Sequence, residues 1–414
     1  MQQKNKDMIQ KGAELLYLVG VGLYAFYFMY YVVCFWRTKN LPEGQIPAQS
    51  IFYAAMVVMA LKIVITIWQY NKVEIAFGVI AAMILYCCWK TSGTIDFAIN
   101  FLLLFAIKNV ELKKVMKVVF VIGIVMFIYG FAFTFLTNPT GIAVTRNFGR
   151  GAIETRYQFF AWHPNILHLV VSSFILIFLY VYHGSCKWWV YMVVFFANYE
   201  LFLLTKSRTG YITACAGIGM FFVLKYLRKI FRSKIMLWVF EALNIFMIFG
   251  SLYFGFIAQS ESKWYQFINV KLTGRLDVFR AFISESGYHL FGSSLGNKLD
   301  GFGLFKKQVP GAVPELGFPR MLLEYGPLIL IGVILIILIA IWAMYRIEHY
   351  EGIIFLTACI LSFTVDALYP AAWNPMPFVL GYGIFGCSGI FEKKDRLIWR
   401  KRFKSETKRS SFYE

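Results

Sequence analysis

Long apolar segments dominate the chain, and short polar stretches separate them. Segments such as 328–343 are apolar on every face, whereas the strands of a membrane β-barrel alternate apolar and polar residues. Since about 20 consecutive apolar residues cross a bilayer as a helix, the pattern predicts an all-α polytopic membrane protein with about 12 transmembrane helices. The predicted spans are residues 14–36, 51–70, 73–89, 94–107, 118–136, 165–183, 188–205, 209–224, 235–258, 321–344, 352–369 and 376–391.

Two polar regions stand out between and after these spans. The pattern predicts residues 1–414 as a single integral membrane domain with one large extracytoplasmic loop, 259–318, and a basic tail, 392–414. Within the loop, apolar residues recur every three or four positions, as in an amphipathic helix that lies on a membrane surface. These residues are Ile268, Leu272, Leu276, Phe279 and Ile283.

The composition excludes an ordinary soluble enzyme. Of 414 residues, 59% are hydrophobic and only 15% are charged, against about 25% charged residues in soluble domains. Most of the seven cysteines lie inside apolar runs, without a CxxC or Cys/His metal spacing, which predicts core packing rather than disulfides or a metal site. The first apolar run is too long for the core of a cleaved signal peptide and predicts a retained span.

The basic residues indicate an orientation. Lys and Arg number 41 against 22 Asp and Glu, a formal net charge of +19. If the N-terminus is cytoplasmic, most of these cations fall in short cytoplasmic segments and in the tail, as the positive-inside rule requires. Both termini are then cytoplasmic, and the tail contacts anionic lipid headgroups rather than nucleic acid. The remaining cations lie on the outer side, where they are disfavoured, and indicate an anionic partner there.

Two predicted helix N-termini face outward and have arginines beside them. Before the eighth span, Ser207 is placed as an N-cap and Arg208 lies in the first turn. A cation there is unfavourable unless an anion binds between it and the helix end; an arginine that extends to lipid headgroups is the alternative. The sixth span begins at Pro164, behind Arg156, and the adjacent His163 is either a capping residue or a base.

Few acidic residues lie near the predicted outer surface. Glu324 is either a functional carboxylate or an ion-pair partner of Arg320. Glu315 and Asp366 lie at span ends, and we rank Glu315 first and Asp366 second as a candidate general base.

Short motifs follow one another in a definite order between residues 156 and 375. They are Arg156-Tyr157, His163-Pro164-Asn165, Ser207-Arg208-Thr209-Gly210, Gly274-Arg275, His289-Leu290-Phe291-Gly292 with Gly296, Glu315, Leu323-Glu324-Tyr325-Gly326 and Asn374-Pro375. This ordered set resembles Wzy-type polysaccharide repeat-unit polymerases and is similar to the O-antigen ligases of the same superfamily. It looks most like the Gram-positive capsule and exopolysaccharide members, although Glu315 stands where they commonly carry His or Asp, and Leu290 where they often carry Pro.

The resemblance implies a GT-C-like, metal-independent membrane glycosyltransferase without a cofactor, in the bacterial cytoplasmic membrane. Such an enzyme polymerises undecaprenyl-diphosphate-linked oligosaccharide units into capsular polysaccharide or exopolysaccharide at the outer face, so that donor and acceptor are both lipid-linked. A flippase and a chain-length regulator are the protein partners that it implies, beside the lipid bilayer.

The resemblance also implies roles for individual residues. The donor diphosphate would be bound by arginines, namely Arg156, Arg208, Arg275, Arg280 and Arg320. Glu315 would take the proton from the acceptor hydroxyl, with Asp366 and His163 as the other candidates. The residues that would support the motifs are Asn165, Ser207, Gly210, Gly274 and Asn374.

Three other functions stay open. A ligase would use the same donor with a different acceptor. A lipid flippase or solute transporter would carry charged residues and Gly or Pro breaks near the midplane, where only Lys62 is clearly central. A non-catalytic assembly scaffold would not need arginines at two helix N-termini.

Overall fold

The computed structural model describes residues 2–33, 49–93, 95–137, 142–148, 153–161, 163–293, 295, 315–366 and 371–386. Outside the described residues lie the basic tail 392–414, Gly296 and most of the second half of the large loop, together with the predicted span ends at 34–36, 367–369 and 387–391. Within the described ranges the chain is mostly helical.

The helices follow the order of the predicted spans. The first are α1 (Gln2–Val33), α2 (Gln49–Ile65), α3 (Lys72–Ser92), α4 (Asp96–Ala106) and α5 (Leu112–Thr137). After a β-hairpin come α6 (Pro164–Tyr182), α7 (Trp188–Thr205), α8 (Arg208–Tyr226), α9 (Arg228–Phe231) and α10 (Lys234–Leu252), which continues as a π-helical turn over Tyr253–Ile257. The last are α11 (Lys263–Lys271), α12 (Arg275–Ser286), α13 (Gly317–Arg346), α14 (Tyr350–Val365) and α15 (Met376–Gly381).

Among the described residues, seven helices are long and apolar enough to cross a membrane. They are α1 from Met8 onward, α3, α5, α6, α7, α10 with its π-helical turn, and α13. Helices α2, α4, α14 and α15 are shorter and apolar. The chain is thus a helical polytopic protein. Each predicted span overlaps a helix, and the count of 12 crossings stays a prediction.

Local sequence signals set several helix boundaries. Helix α3 begins with a capping box, in which the Asn71 side chain accepts from the Glu74 N–H and the Glu74 carboxylate accepts from the Asn71 N–H. The same helix ends at Gly93, whose φ of 75° terminates it in the left-handed region. The side chains of Ser233 and Ser262 cap α10 and α11.

The short helix α4 ends inside the protein. Its terminal carbonyl groups have no helical partner, and in an apolar interior they need other donors. The hydroxyls of Tyr17 and Tyr70 donate to the carbonyls of Leu103 and Phe105 at 2.9 and 2.7 Å. The buried Lys62 ammonium donates to the carbonyl of Lys108 at 2.8 Å. Lys62, the central cation of the sequence, therefore stabilises a helix end.

Polar contacts show which helix termini lie at the same end of the bundle. At one end, Lys225 donates to the carbonyls of His183 and Gly184, while His183 and Arg228 contact Glu351 at 3.3 and 3.6 Å. These residues join the C-termini of α6 and α8 to the N-terminus of α14. The N-termini of α6 and α8 and the C-terminus of α14 consequently lie at the opposite end, together with the hairpin and the loop helices.

The expectation of an all-α chain misses one element. Strands β1 (Ala143–Asn147) and β2 (Ile153–Tyr157) pair antiparallel, with Thr145 opposite Thr155 and their hydroxyls 2.8 Å apart. Alternation places Arg156 on the buried side of β2 and Tyr157 on the exposed side. The hairpin thereby directs Arg156 toward the N-terminus of α6.

The predicted amphipathic helix of the large loop needs correction. It is two helices, α11 and α12, separated at Thr273 and Gly274, which have φ of 59° and 81°. Leu276 and Phe279 of the predicted apolar face are buried in a hydrophobic cluster with Tyr265, Leu316 and Leu323, and the other residues of the face pack against that cluster. The exposed apolar residues of this loop are Trp264, Phe267, Val270, Tyr288 and Leu290. Helical periodicity identifies an apolar face but not what covers it.

Two of the motif glycines interlock. Gly292 and Gly326 have φ of 78° and 83°. A Cβ on Gly292 would overlap the carbonyl oxygen of Glu324, and a Cβ on Gly326 would overlap that of Leu290. The N–H of Ser293 donates to the carbonyl of Leu323 at 2.9 Å, and α13 breaks at Gly326 before Pro327. The two backbones approach so closely that only glycine fits at either position.

Candidate functional site

An open cavity of about 360 Å³ lies at the end of the bundle where α6 and α8 begin. Residues from the hairpin, both helix N-termini, the two loop helices, the segment before α13 and the end of α14 line it. The charged and histidine residues of this lining are Arg146, Arg156, His163, Arg208, Lys271, Arg275 and Glu315. Segments far apart in sequence therefore place five cations and one carboxylate around one space.

The start of α6 forms one wall of the cavity. Pro164 occupies the first turn, where its missing N–H has no effect, and His163 is the N-cap. The Nδ1 atom of His163 accepts a hydrogen bond of 3.1 Å from the N–H of Asn165. Burial, reinforced by arginines of the hairpin and of α12, lowers the pKa of His163 to about 3. The ring is therefore neutral with its proton on Nε2, and it offers a donor rather than a base.

Two arginines of the hairpin stack on one aromatic ring. The guanidinium carbons of Arg156 and Arg146 lie 3.9 and 4.8 Å from the ring centroid of Phe148, a cation–π arrangement. Arg156 also pairs with Glu154, whose Oε2 atom is 2.9 Å from Nη2. These contacts hold the Arg156 side chain, which is buried. Arg146 lies directly opposite Glu154 in the pairing of the two strands.

A two-residue turn joins α7 to α8 and presents Arg208. Lys206 adopts a φ of 53°, and Ser207 holds the N-cap position of α8 without a side-chain capping bond. The Ser207 hydroxyl is buried and has no hydrogen-bond partner among the described residues. The Arg208 side chain is exposed, and no described residue forms an ion pair with it. Arg208 and Thr209 both line the cavity.

Arg275 joins three elements at the base of the cavity. Its Nε atom is 2.5 Å from Oε2 of Glu315, and its Nη1 atom is 3.0 Å from Oδ2 of Asp366. Nη1 also donates to the carbonyl of Val365 at 2.7 Å. Arg275 is only 8% exposed and Asp366 only 5%. One buried guanidinium thus fixes α12, the segment before α13 and the end of α14.

The two carboxylates bound to Arg275 differ in their surroundings. Burial raises the pKa of Asp366. The positive charge of Arg275 lowers this pKa in part, and the negative charge of Glu315 raises it further. When two carboxylates share a site, one of them retains a proton more readily. That carboxylate is the enclosed Asp366, since the side chain of Glu315 is 38% exposed. Glu315 is consequently the carboxylate that the cavity offers to a ligand.

The cavity carries an excess of positive charge. Five cations line it, and the three carboxylates that contact Arg156 or Arg275 reduce the formal charge to +2 when Asp366 is ionised and to +3 when it holds a proton. In the part of the chain that is described, Arg146, Arg208 and Lys271 have no carboxylate partner. Unpaired guanidiniums beside helix N-termini bind phosphate-like anions well. A ligand with two negative charges would offset most or all of this excess.

Two predicted diphosphate ligands are placed elsewhere. Arg280 donates to the carbonyl of Ala258 and lies 4.2 Å from the ring centroid of Tyr265. Arg320 contacts Glu324 at 2.9 Å, the i, i+4 pair that the sequence spacing allows. Neither arginine lines the cavity. Arg280 and Arg320 each contact neighbouring groups outside the cavity lining, and their contact with a diphosphate stays a prediction.

The predicted supporting residues act through the backbone and through packing. Asn374 donates to the carbonyl of Cys359 at 3.2 Å and accepts from the N–H of Met376, so it ties α15 to α14. Gly274 supplies the left-handed residue directly before Arg275. Gly210 packs against the ring of His168, and a Cβ there would lie 2.8 Å from Cδ2 of that ring.

Several residues of the site escaped prediction as ligands. Phe148 and Lys271 line the cavity, but the strand register that brings Arg156 onto the ring of Phe148 is not readable from the sequence. His168 is completely buried beneath the turn that carries Arg208. The sequence does contain a signal that could have identified His168, because an ionisable side chain inside an apolar span is a functional candidate by default.

Cysteines and metal-ligand clusters add nothing to the described part of the site. Cys87, Cys88, Cys186, Cys215 and Cys359 are free thiols. In the described ranges, no group of three or more His, Cys, Asp or Glu side chains is placed to hold a metal ion.

The cavity combines two chemical capacities. It can bind a doubly charged anion, and it presents Glu315 beside that anion site as an acceptor for a proton. A reaction in which a phosphate-type group leaves and a hydroxyl attacks would use both. Comparison of the chain with models of protein families, with curated proteins and with solved structures finds no match.

Proposed function

We propose that this chain is a Wzy-type polysaccharide polymerase, a membrane glycosyltransferase that joins undecaprenyl-diphosphate-linked repeat units into capsular polysaccharide or exopolysaccharide. The proposal rests on one observation, that residues from four separate motifs meet at one cavity, namely Arg156, Arg208, Arg275 and Glu315. It includes a GT-C-like arrangement of about 12 spans. Both termini would be cytoplasmic, and the cavity would open at the outer face of the bacterial cytoplasmic membrane.

The excess charge of the cavity supports a diphosphate as the leaving group. A diphosphate diester carries two negative charges, which offset most or all of the formal excess of +2 to +3 at the site. Arg208 has the most freedom to contact it, because the side chain is exposed and unpaired among the described residues. As the glycosidic bond breaks, negative charge builds on the leaving oxygen. Preorganised cations stabilise this charge without reorganisation, which lowers the barrier.

Glu315 is the proposed general base. The acceptor hydroxyl of one lipid-linked unit attacks the anomeric carbon of the donor, and the bond from that carbon to the diphosphate oxygen breaks. The proton of the hydroxyl passes to Glu315, and the electron pair of the broken bond leaves with the diphosphate. Asp366 is enclosed beside Arg275, and His163 uses its Nδ1 lone pair in capping α6. Glu315 therefore fits the role better than the other two candidates.

The test is polymer formation by purified protein in vesicles supplied with lipid-linked repeat units. Wild-type protein is expected to give a ladder of products, and Arg208→Ala and Glu315→Gln are expected to give single units only. Arg232→Ala is the matched control, because it removes an exposed arginine at the opposite end of the bundle. A wild-type ladder from Arg208→Ala would overturn the assignment.

The ligase alternative gives a different result in the same assay. A ligase would form no ladder from repeat units alone and would transfer preassembled glycan when a second acceptor is added. A transporter would do neither, and it would move lipid-linked units across the vesicle membrane.

A further inference from the structure

The turn that presents Arg208 needs support from its surroundings. Lys206 has a φ of 53°, which is disfavoured for residues that carry a Cβ. Such a conformation persists where neighbouring groups determine it. The turn has only two residues between α7 and α8, so any change in it moves Arg208 directly.

A buried histidine beneath this turn supplies the support. His168 lies in α6 and is completely enclosed. Its Nδ1 atom is 2.8 Å from the hydroxyl of Thr205, the last residue of α7. The same hydroxyl accepts from the N–H of Ser207 at 3.4 Å. A hydrogen-bonded path of two steps therefore leads from the histidine ring to the backbone immediately before Arg208.

The opposite side of the ring is fixed as well. The amide of Asn198 donates to the carbonyl of Tyr211 at 3.3 Å, which leaves its oxygen 3.0 Å from Nε2 of His168. Nε2 thus carries the proton, and in a neutral ring Nδ1 is an acceptor that shares the Thr205 hydroxyl proton with the carbonyl of Leu201, 2.8 Å from the same oxygen. Gly210, in the first turn of α8, packs on the ring face, where a Cβ would not fit. The ring contacts α7 and α8 on several sides.

We infer that His168 is a positioning residue for Arg208: its bond to Thr205 holds the α7–α8 turn so that the Arg208 guanidinium points into the cationic cavity. The inference rests on the proposed function only in taking a diphosphate as the ligand of Arg208. His168 itself does not line the cavity and touches no reacting atom. Its action is on the geometry of the turn, which can be measured without any ligand.

The first experiment measures backbone hydrogen exchange of the ligand-free protein over residues 205–211. His168→Ala and Thr205→Val each remove the bond, so both are expected to speed exchange there at least several-fold. Ser173→Ala is the matched control, because Ser173 is a buried residue of α6 that donates to the carbonyl of Trp373, away from the turn. Unchanged exchange in Thr205→Val overturns the inference even where His168→Ala fails to fold.

Conservative variants identify which bond matters. His168→Asn keeps an acceptor near the position of Nδ1, and His168→Gln keeps a donor near that of Nε2. Since the bond to Thr205 supports the turn, Asn is expected to restore slow exchange more fully than Gln. The reverse order would mean that the contact with Asn198 dominates, and would overturn the inference.

The second experiment measures binding of geranyl diphosphate to the purified protein. Arg208→Ala is expected to weaken binding about 10- to 100-fold and His168→Ala about 3- to 10-fold. The double variant should bind no more weakly than Arg208→Ala alone, because His168 acts through Arg208. Losses that multiply would overturn the inference. A wild-type protein that does not bind the diphosphate would overturn the proposed function, while the exchange result would still decide the role of His168 in the turn.

Discussion

Replacing Arg275 should damage the fold, whereas replacing Arg208 should not. Both arginines line the same cavity, and both belong to motifs of the resemblance. Arg275, however, is 8% exposed and contacts Glu315, Asp366 and the carbonyl of Val365. Arg208 is exposed and has no ion-pair partner among the described residues. The two substitutions to Ala therefore separate a stability effect from a ligand-binding effect.

The loss of stability expected for Arg275→Ala follows from the burial of the carboxylates that contact Arg275. Removing one member of a buried ion pair costs about 3–5 kcal/mol, since the remaining charge loses its compensation. Asp366 is 5% exposed, but protonation relieves part of its charge, so Arg275→Ala should cost about 3 kcal/mol of unfolding free energy, the lower end of that range. The double variant Arg275→Ala with Asp366→Ala should recover about 1–2 kcal/mol of this, because no buried carboxylate is left uncompensated. Arg208→Ala should stay within about 0.5 kcal/mol of wild type.

The assay is denaturant-induced unfolding in detergent, followed by tryptophan fluorescence. The expected order of stability is wild type and Arg208→Ala together, then the double variant, then Arg275→Ala. Arg275→Ala with the stability of Arg208→Ala would refute the reasoning, because it would mean that the contacts with Asp366 and Glu315 contribute nothing to the fold. A double variant less stable than Arg275→Ala would refute the explanation by an uncompensated carboxylate.

Three further predictions concern single sites. The neutral His163 binds a proton less readily in the fold than when unfolded, so stability should be full above pH 6.5 and fall as the pH drops toward 3. His163→Asn, which keeps a capping acceptor, should flatten that part of a pH series of unfolding curves. Glu315→Gln should abolish polymer formation while Glu315→Asp retains a measurable rate, and equal rates in the two variants would move the base elsewhere. Gly292→Ala and Gly326→Ala should each lower stability by more than about 1 kcal/mol in the same unfolding assay, whereas a neutral effect would show that the two backbones can separate without cost.

The sequence predicts the helices well because each span is a local pattern. Apolar length identifies the spans, and Pro164 identifies a helix start, without knowledge of any other segment. Phe148 shows the opposite case. Its role depends on the register of two strands, which brings Arg156 onto its ring. No pattern within β1 or β2 contains that register.

Long-range pairing limits what could be predicted of the site. Arg275 and Asp366 are 91 positions apart and meet only because α12 begins beside the residue at which α14 ends. Arg275 and Arg280 both fall on the polar side of the predicted amphipathic helix, and both are predicted diphosphate ligands. In the structure, however, the Arg280 side chain donates to the carbonyl of Ala258. Spacing alone did suggest the pair of Arg320 with Glu324, since residues four apart on a helix are neighbours.

The interlocked glycines have a practical consequence for engineering. The backbone bond between Ser293 and Leu323 holds together two positions of the chain that are 30 residues apart. Lengthening a closed loop costs only about 0.6 kcal/mol for each doubling of its length. An epitope tag or a reporter inserted between residues 296 and 314 should therefore leave the cationic cavity intact, and it would mark on which side of the membrane that loop lies.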